Sequence, residues 1–229
     1  MAFAASDAAH IAKTSPLFEG LDEADVRAIV ARGKCRHHHR RQIILHAPDT
    51  ATHLYLLLSG CARHYRIAPK GKRLLIRWIR AGTPFGLQSL TQKRTAYGTN
   101  VEMVEEGDLL AWDRQTAQQI AYEHPRVFAN ALTLAMDYVE HYHSIHMGLA
   151  SLTAEQRLAQ ALLEMSESLG EKSARGTEIE VKNKHLADMA NINVFTASRI
   201  LSAWRKKGLI AKSRGNILIR SPERLAALL

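Results

Sequence analysis

The period of the apolar residues changes twice along the chain. Near the N-terminus, Ser15-Pro16-Leu17-Phe18 and Gly20-Leu21-Asp22-Glu23 lead into a capped helix with Leu21, Val26, Ile29 and Val30 on one side. Short apolar runs then follow at 43–45, 54–58, 62–67, 74–79, 100–104 and 109–112. Turn residues separate them: Pro48-Asp49, Ser59-Gly60, Pro69-Lys70-Gly71, Gly82-Thr83-Pro84, Gly98 and Gly107. Short strands at regular spacing predict a β barrel or sandwich.

After Asp113 the turns disappear. Phe128, Ala131, Ala135, Tyr138, Tyr142, Ile145, Leu149 and Leu152 recur at spacings of 3, 4, 3, 4, 3, 4 and 3, the seam of a coiled coil. A helix packed on its own β domain also needs an apolar stripe. The strict repeat keeps the stripe narrow, which favours a facing helix, and a parallel homodimer is expected.

The C-terminal third has a different order. Residues 153–168 read as a helix and 170–176 as a polar loop. Two short helices follow, near 185–190 and 194–207, joined by Asn191-Ile192-Asn193. Leu209-Ile210 and Ile217-Leu218-Ile219 then flank Ser213-Arg214-Gly215-Asn216, a hairpin signal. Helix, helix, turn, helix, hairpin is the order of a winged helix-turn-helix.

Composition narrows the class. The 229 residues are 46% apolar, enough for real cores, and no run approaches the roughly 18 apolar residues of a membrane helix. Residues 1–14 lack the basic start of a signal peptide, and Cys35 and Cys61 cannot build a disulfide scaffold. A cytoplasmic protein is expected. The formal charge of +9 is uneven: residues 182–220 hold nine Lys or Arg and one acid, Asp188, and residues 26–101 hold fifteen and one, Asp49. Such basic regions fit anionic partners or a solvated face. No nucleophile–base pair, phosphate loop or paired carboxylates stand out, so an enzyme is not expected.

A helix in the DNA major groove needs an apolar back and short or donor side chains at its first turn. Ala197, Ile200, Leu201 and Trp204 make that back, against Leu186, Ala187 and Ala190. Asn193, Val194, Phe195, Ser198 and Arg199 make the front, with Thr196 placed to meet a phosphate at the helix start. Arg199 is the expected base reader, because its fork matches guanine O6 and N7. Lys206, Lys207, Lys212 and Arg214 are the expected backbone contacts, Arg214 from the wing.

Several segments together resemble the cyclic-AMP receptor protein/FNR family of bacterial transcription regulators, over nearly the whole chain. They are Pro16-Leu17-Phe18-Glu19-Gly20-Leu21, Leu54-Tyr55-Leu56-Leu57-Leu58-Ser59-Gly60, Arg94-Thr95-Ala96, Val194-Phe195-Thr196-Ala197-Ser198-Arg199-Ile200-Leu201 and Lys207-Gly208-Leu209-Ile210. The resemblance implies an α+β chain: a cyclic-nucleotide-binding-like β-roll (1–118), a dimerisation helix (119–152) and a winged helix-turn-helix (153–229). It implies a homodimer on a near-palindromic operator in double-stranded DNA, with RNA polymerase as a further partner and no membrane.

Departures from the family are equally specific. Members that bind cyclic AMP carry a Gly-Glu pair before an Arg-Ser/Thr-Ala run, the acid holding the ribose hydroxyl and the Arg the phosphate. Here Gly86 precedes Leu87, and the spacing to Arg94 and Thr95 is shortened. Gly86, Gln88, Arg94 and Thr95 remain the candidate effector residues, with cyclic AMP not expected. Val194 and Phe195 replace an Arg-Glu pair on the reading helix, so the operator differs from that receptor's. The four-cysteine pattern of iron–sulfur members is missing, so no iron–sulfur cluster is expected.

The twelve histidines form two groups. His37-His38-His39 lies among Lys34, Arg36, Arg40 and Arg41, cations that repel a metal, so it reads as a solvated or phosphate-facing patch; on a strand only His37 and His39 share a side. On the long helix, His141, His143 and His146 are candidates for a haem or metal ion, since His141 would approach His146 of the other subunit.

Overall fold

The computed structural model describes residues 5–68, 71, 73–93, 95–213 and 215–229. The chain forms two compact units, one of residues up to Arg66 with Ile76–His141, the other of Ile67–Leu75 with Tyr142–Leu229.

The first unit opens with α1 (Ala5–Lys13), a 3-10 turn (Pro16–Phe18) and α2 (Glu23–Ala31). Asp22 caps α2 by accepting from the Asp25 N–H at 2.7 Å. Eight strands follow: β1 (Lys34–His38), β2 (Ile43–Leu45), β3 (His53–Leu57), β4 (Cys61–Ile67), β5 (Arg73–Ile79), β6 (Pro84–Phe85), β7 (Asn100–Glu105) and β8 (Gly107–Asp113). They make two four-stranded sheets, ordered β1-β8-β3-β6 and β2-β7-β4-β5. The roll ends in α3 (Arg114–Glu123) and in α4 (Pro125–Ser151), which belongs to this unit as far as His141; Ile67 of β4 and residues 73–75 of β5 are grouped with the second unit.

Side-chain alternation explains the continuous apolar run of β3. Leu54, Leu56 and Leu58 join Leu17, Phe18, Ile29, Trp112, Ile120 and Val127 in a core under the helices. Leu57 faces the other way, into the core with Leu45, Phe85, Val101, Met103 and Leu109. A strand buried on both faces needs apolar residues at successive positions. The Trp112 indole donates to the Ile29 carbonyl at 2.9 Å, satisfying its polar edge inside the core.

Two elements of this unit, α1 and β1, are absent from the apolar pattern of the sequence. Helix α1 carries no strong stripe, because its buried contacts are made by Ala8 and Ala12, with only Ile11 packed beside them. Strand β1 shows no alternation, since its side chains are almost all exposed, and only pairing with β8 defines it.

His64 on β4 is 7% exposed, with Nε2 2.8 Å from the Thr99 hydroxyl. Burial, assisted by the charge of Arg77, pushes its pKa down to about 3 from 6.5. The unfolded chain therefore takes up this proton near pH 6.5 while the folded chain resists it until about pH 3. Stability is full above that window and is lost as pH falls through it. His64→Gln should flatten the decline of urea-unfolding stability between pH 6.5 and 4; parallel profiles for variant and wild type would contradict this.

The second unit contains α5 (Ala154–Leu169), β9 (Glu171–Ser173), β10 (Gly176–Glu180), α6 (Asn183–Met189), α7 (Val194–Lys206), β11 (Ile210–Lys212), β12 (Asn216–Ile219) and α8 (Pro222–Ala226). Its antiparallel sheet has the order β11-β12-β10-β9. The segment expected as a polar loop is thus the β9–β10 hairpin. Strand β10 becomes central because Ile179 pairs with Ile217 and Thr177 with Ile219 of the wing. That long-range pairing leaves no local signal in 170–176.

Candidate nucleic-acid interface

The interface is built from the back forward. Thr153 and Gln156 form a capping box that starts α5. The face of α5 made by Leu158, Leu162 and Met165 is buried. Arg157 then closes two helix ends, donating to the Leu152 carbonyl at 2.7 Å and to the Ala190 carbonyl at 3.0 Å. Between α6 and α7 the chain turns at Asn191, which takes φ 49°, a left-handed conformation that Asn accepts more readily than most residues. Asn193 caps α7 by accepting from the Thr196 N–H at 2.7 Å.

Helix α7 buries Ala197, Ile200, Leu201 and Trp204, the back expected for a reading helix. The Trp204 indole donates to Glu155 Oε1 at 2.8 Å, tying α7 to α5. The front is open. Phe195 is 88% exposed, Val194 is exposed at its margin, and Arg199, Arg205 and Lys206 project to solvent. A 13-residue helix is about 20 Å long and about 10–12 Å across, a match for a major groove about 12 Å wide. Thr196 is half-buried at the first turn.

Ser198 is engaged within the unit. Its hydroxyl oxygen accepts from Asn183 Nδ2 at 2.9 Å, and Asn183 Oδ1 in turn accepts from the Lys212 ammonium. The wing, α6 and α7 are therefore joined by one polar chain. Burial, with Arg205 nearby, holds the Lys212 pKa below its ordinary value. Asn183 had no sequence signal, because its importance lies in joining residues 15 and 29 positions away. Arg214 lies outside the described residues; Gly215 beside it takes φ 90° at the tip of the wing.

The candidate effector residues lie in the first unit. Gly86 takes φ 81°, and a Cβ there would stand 2.6 Å from the His53 carbonyl oxygen, so glycine is required. It starts the 3-10 turn Leu87–Leu90. The Gln88 carbonyl accepts from the hydroxyls of Thr91 at 2.8 Å and Thr95 at 3.3 Å. Arg94 lies outside the described residues. Arg114, which the sequence did not single out, donates to the carbonyls of Gln92 at 3.2 Å and Lys93 at 3.0 Å and to that of Thr91. Gln118 donates to Thr91 as well, at 2.7 Å. The loop is pinned to the start of α3 by its own chain. Leu87 has no acceptor for a ribose hydroxyl, whose unpaired burial costs roughly 1–3 kcal/mol.

On α4 the expected seam divides between two stripes. Ala131 is buried in the core of its own unit with Val127, and Leu134 packs against it. Tyr138 is also held by its own unit: the Arg77 guanidinium lies 4.0 Å from its ring centre, and His64 meets it edge-on at 5.9 Å. Phe128, Tyr142 and Leu149 are exposed, and Ala135, Ile145 and Leu152 are half-buried. Leu132, Met136 and Val139, absent from the expected seam, are exposed at 56%, 53% and 44%. The difference arises because α4 carries two apolar stripes, and alternating 3-4 steps trace a path across both. His141 directs Nε2 at the Ile76 carbonyl at 3.1 Å, whereas His143 and His146 are exposed.

Among the described residues, no helix is long and apolar enough to cross a membrane. Comparison with known proteins connects both units to one architecture. Residues 35–124 match a cyclic nucleotide-binding domain, and residues 156–228 match a Crp-like helix-turn-helix domain. The chain is 27% identical to the cyclic AMP receptor protein of Thermus thermophilus over 209 residues, 91% of this chain and 94% of that protein. It is 22% identical to the nitrogen fixation regulation protein FixK of Bradyrhizobium diazoefficiens, covering 94% and 90% of the two. The solved structure of FixK2 from Bradyrhizobium japonicum superposes with a TM-score of 0.75 at 20% identity, covering 86% of this chain and 96% of that one. A β-roll, a long helix and a winged helix, the two folded ends each matching the corresponding domain in the same order, place the chain in the cyclic-AMP receptor protein/FNR family of transcription regulators, with a DNA-binding helix-turn-helix.

Proposed function

We propose that two copies of the chain pair through α4 and read a near-palindromic operator, controlled by a signal other than cyclic AMP. The observation that carries this reading is α7: a buried back held by Trp204 and Glu155, and an open front with Phe195 and Arg199. Pairing has its own support. Phe128, Leu132, Ala135 and Val139 of the first unit stand at heptad spacing on α4, exposed in the single chain except for half-buried Ala135, and Tyr142, His146 and Leu149 continue the same spacing along the sequence. Exposed apolar groups grouped in this way mark an interaction surface. Paired reading helices must stand about 34 Å apart to meet successive grooves, so a small change in the seam alters affinity.

The reading on each half-site divides by residue type. Phe195 can meet a thymine methyl, and Arg199 can fork onto a guanine. Lys206, in the last turn of α7, meets phosphate and carries no sequence information. In this reading the signal acts at the β-roll or the dimer helix, and Leu87, which has no acceptor for a ribose hydroxyl, argues against cyclic AMP as that signal. The protein acts in the cytoplasm, on DNA and with RNA polymerase, as a binding protein and not an enzyme.

Selection of bound duplexes from a random pool tests the reading, and a palindromic consensus is the expected result. Arg199→Ala should weaken binding to that consensus by roughly 1–3 kcal/mol and relax one base position. Lys206→Ala should weaken all duplexes alike and lower the salt slope by about one. Equal losses on consensus and random DNA for Arg199→Ala would contradict its role.

A further inference from the structure

We propose that the outer end of the β1–β8 ladder binds one divalent transition-metal ion of the zinc type through His37, His39 and Glu106, with Asp108 orienting His37. Among the described residues this is the one set of three such side chains whose donor atoms lie within 4.8 Å of one another. It combines two imidazoles and a carboxylate, donors that suit zinc and leave a position for water.

The topology produces the set. His37 pairs with Asp108 and His38 with Gly107, so His39 and Glu106 stand one step further along. Odd-numbered side chains of β1 share a face, which brings His37 and His39 together with ring centres 5.3 Å apart. His39 Nδ1 lies 4.0 Å from Glu106 Oε2. Both side chains are highly exposed, so the donors can close to the roughly 3.3 Å separation that bonds of about 2.0–2.2 Å require.

A second layer is already in place. His37 Nδ1 lies 3.3 Å from Asp108 Oδ1, which fixes the ring and leaves Nε2 for the ion. Asp108 is itself nearly buried and accepts from the Ser59 hydroxyl at 3.1 Å. A carboxylate behind a metal-binding imidazole sets its tautomer and raises its basicity.

Of the four cations around the histidines, Lys34 and Arg36 do not face the ion, and Arg40 and Arg41 remain beside His39, both exposed. Lys34 and Arg36 were expected to repel it, but they occupy the opposite face of β1, where both act on His53 and Arg36 also acts on Tyr55. Glu106 and Asp108 bring two negative charges to the histidine face. A bound ion would fasten the end of β1 to the turn between β7 and β8, within the sensor unit.

The test is calorimetric titration of the untagged, chelator-treated full chain with Zn(II) near neutral pH. One ion per chain is expected. Affinity should fall roughly 10–100-fold or more in His37→Gln/His39→Gln and by a similar step in Asp108→Asn. The double variant alters exposed or half-exposed rings and should fold normally by circular dichroism. His143→Ala should bind as wild type does. Absence of binding by the wild type overturns the proposal. So does binding that survives His37→Gln/His39→Gln and is lost in His143→Ala.

Discussion

Trp204→Ala is expected to destabilise the C-terminal unit by about 3–5 kcal/mol, enough to unfold a marginal unit. Trp204 is 0% exposed and is the largest side chain holding α7 in place. Its removal leaves a cavity between α7 and the elements behind it, and takes the indole donor from Glu155. Trp204→Phe separates the two effects: it keeps most of the volume and loses the hydrogen bond, at a cost of about 1–2 kcal/mol. Urea unfolding followed by circular dichroism should show the C-terminal transition moving in the order alanine, phenylalanine, wild type. Trp78 and Trp112 are the chain's other tryptophans and lie in the N-terminal unit, so their fluorescence transition should stay in place. A loss under about 1 kcal/mol for Trp204→Ala would refute the packing argument.

The second large effect is expected from Val139→Glu. Val139 is 44% exposed in the single chain, so a carboxylate there leaves each unit folded. In the proposed dimer it meets its own copy across the seam, and like charges brought together at an interface cost several kcal/mol. The dimer dissociation constant should therefore rise by roughly 10²–10⁴-fold, since each 1.4 kcal/mol is about tenfold. Sedimentation velocity at micromolar concentration should show monomers, with operator binding lost to the same extent. Ala131→Glu provides the contrast: at 6% exposure it buries a charge in its own unit and should unfold that unit instead. Dimers that persist in Val139→Glu would place the pairing surface elsewhere.

The effector loop shows how a site can be visible and still incomplete in a sequence. Leu87 stands out because one residue type is missing from a known pattern. Arg114 does not, since its role is to meet carbonyls 21 to 23 positions earlier, and backbone acceptors leave no residue code. The metal site follows the same logic. His37 and His39 were visible as neighbours, but Glu106 in the β7–β8 turn and Asp108 on β8 lie about 70 positions away, and the face taken by Arg36 depends on the pleat.

Local chemistry determined most of the α7 reading, the wing and the β-roll. Hydrophobic period, capping residues and turn residues act within a few positions, so Asn193, the buried back of α7 and the strands around Gly60 and Gly107 could be read in order. Tertiary structure decided whatever depended on a partner far along the chain. Pairing with β12 turned 176–180 into a strand that β9 then joins, pairing with β8 defined an otherwise exposed β1, and the sheet against α4 chose which apolar stripe was buried. A helix with two apolar stripes does not encode which one its own domain will cover; the packing of Val127, Ala131 and Tyr138 supplies that choice and leaves Leu132, Met136 and Val139 for another surface.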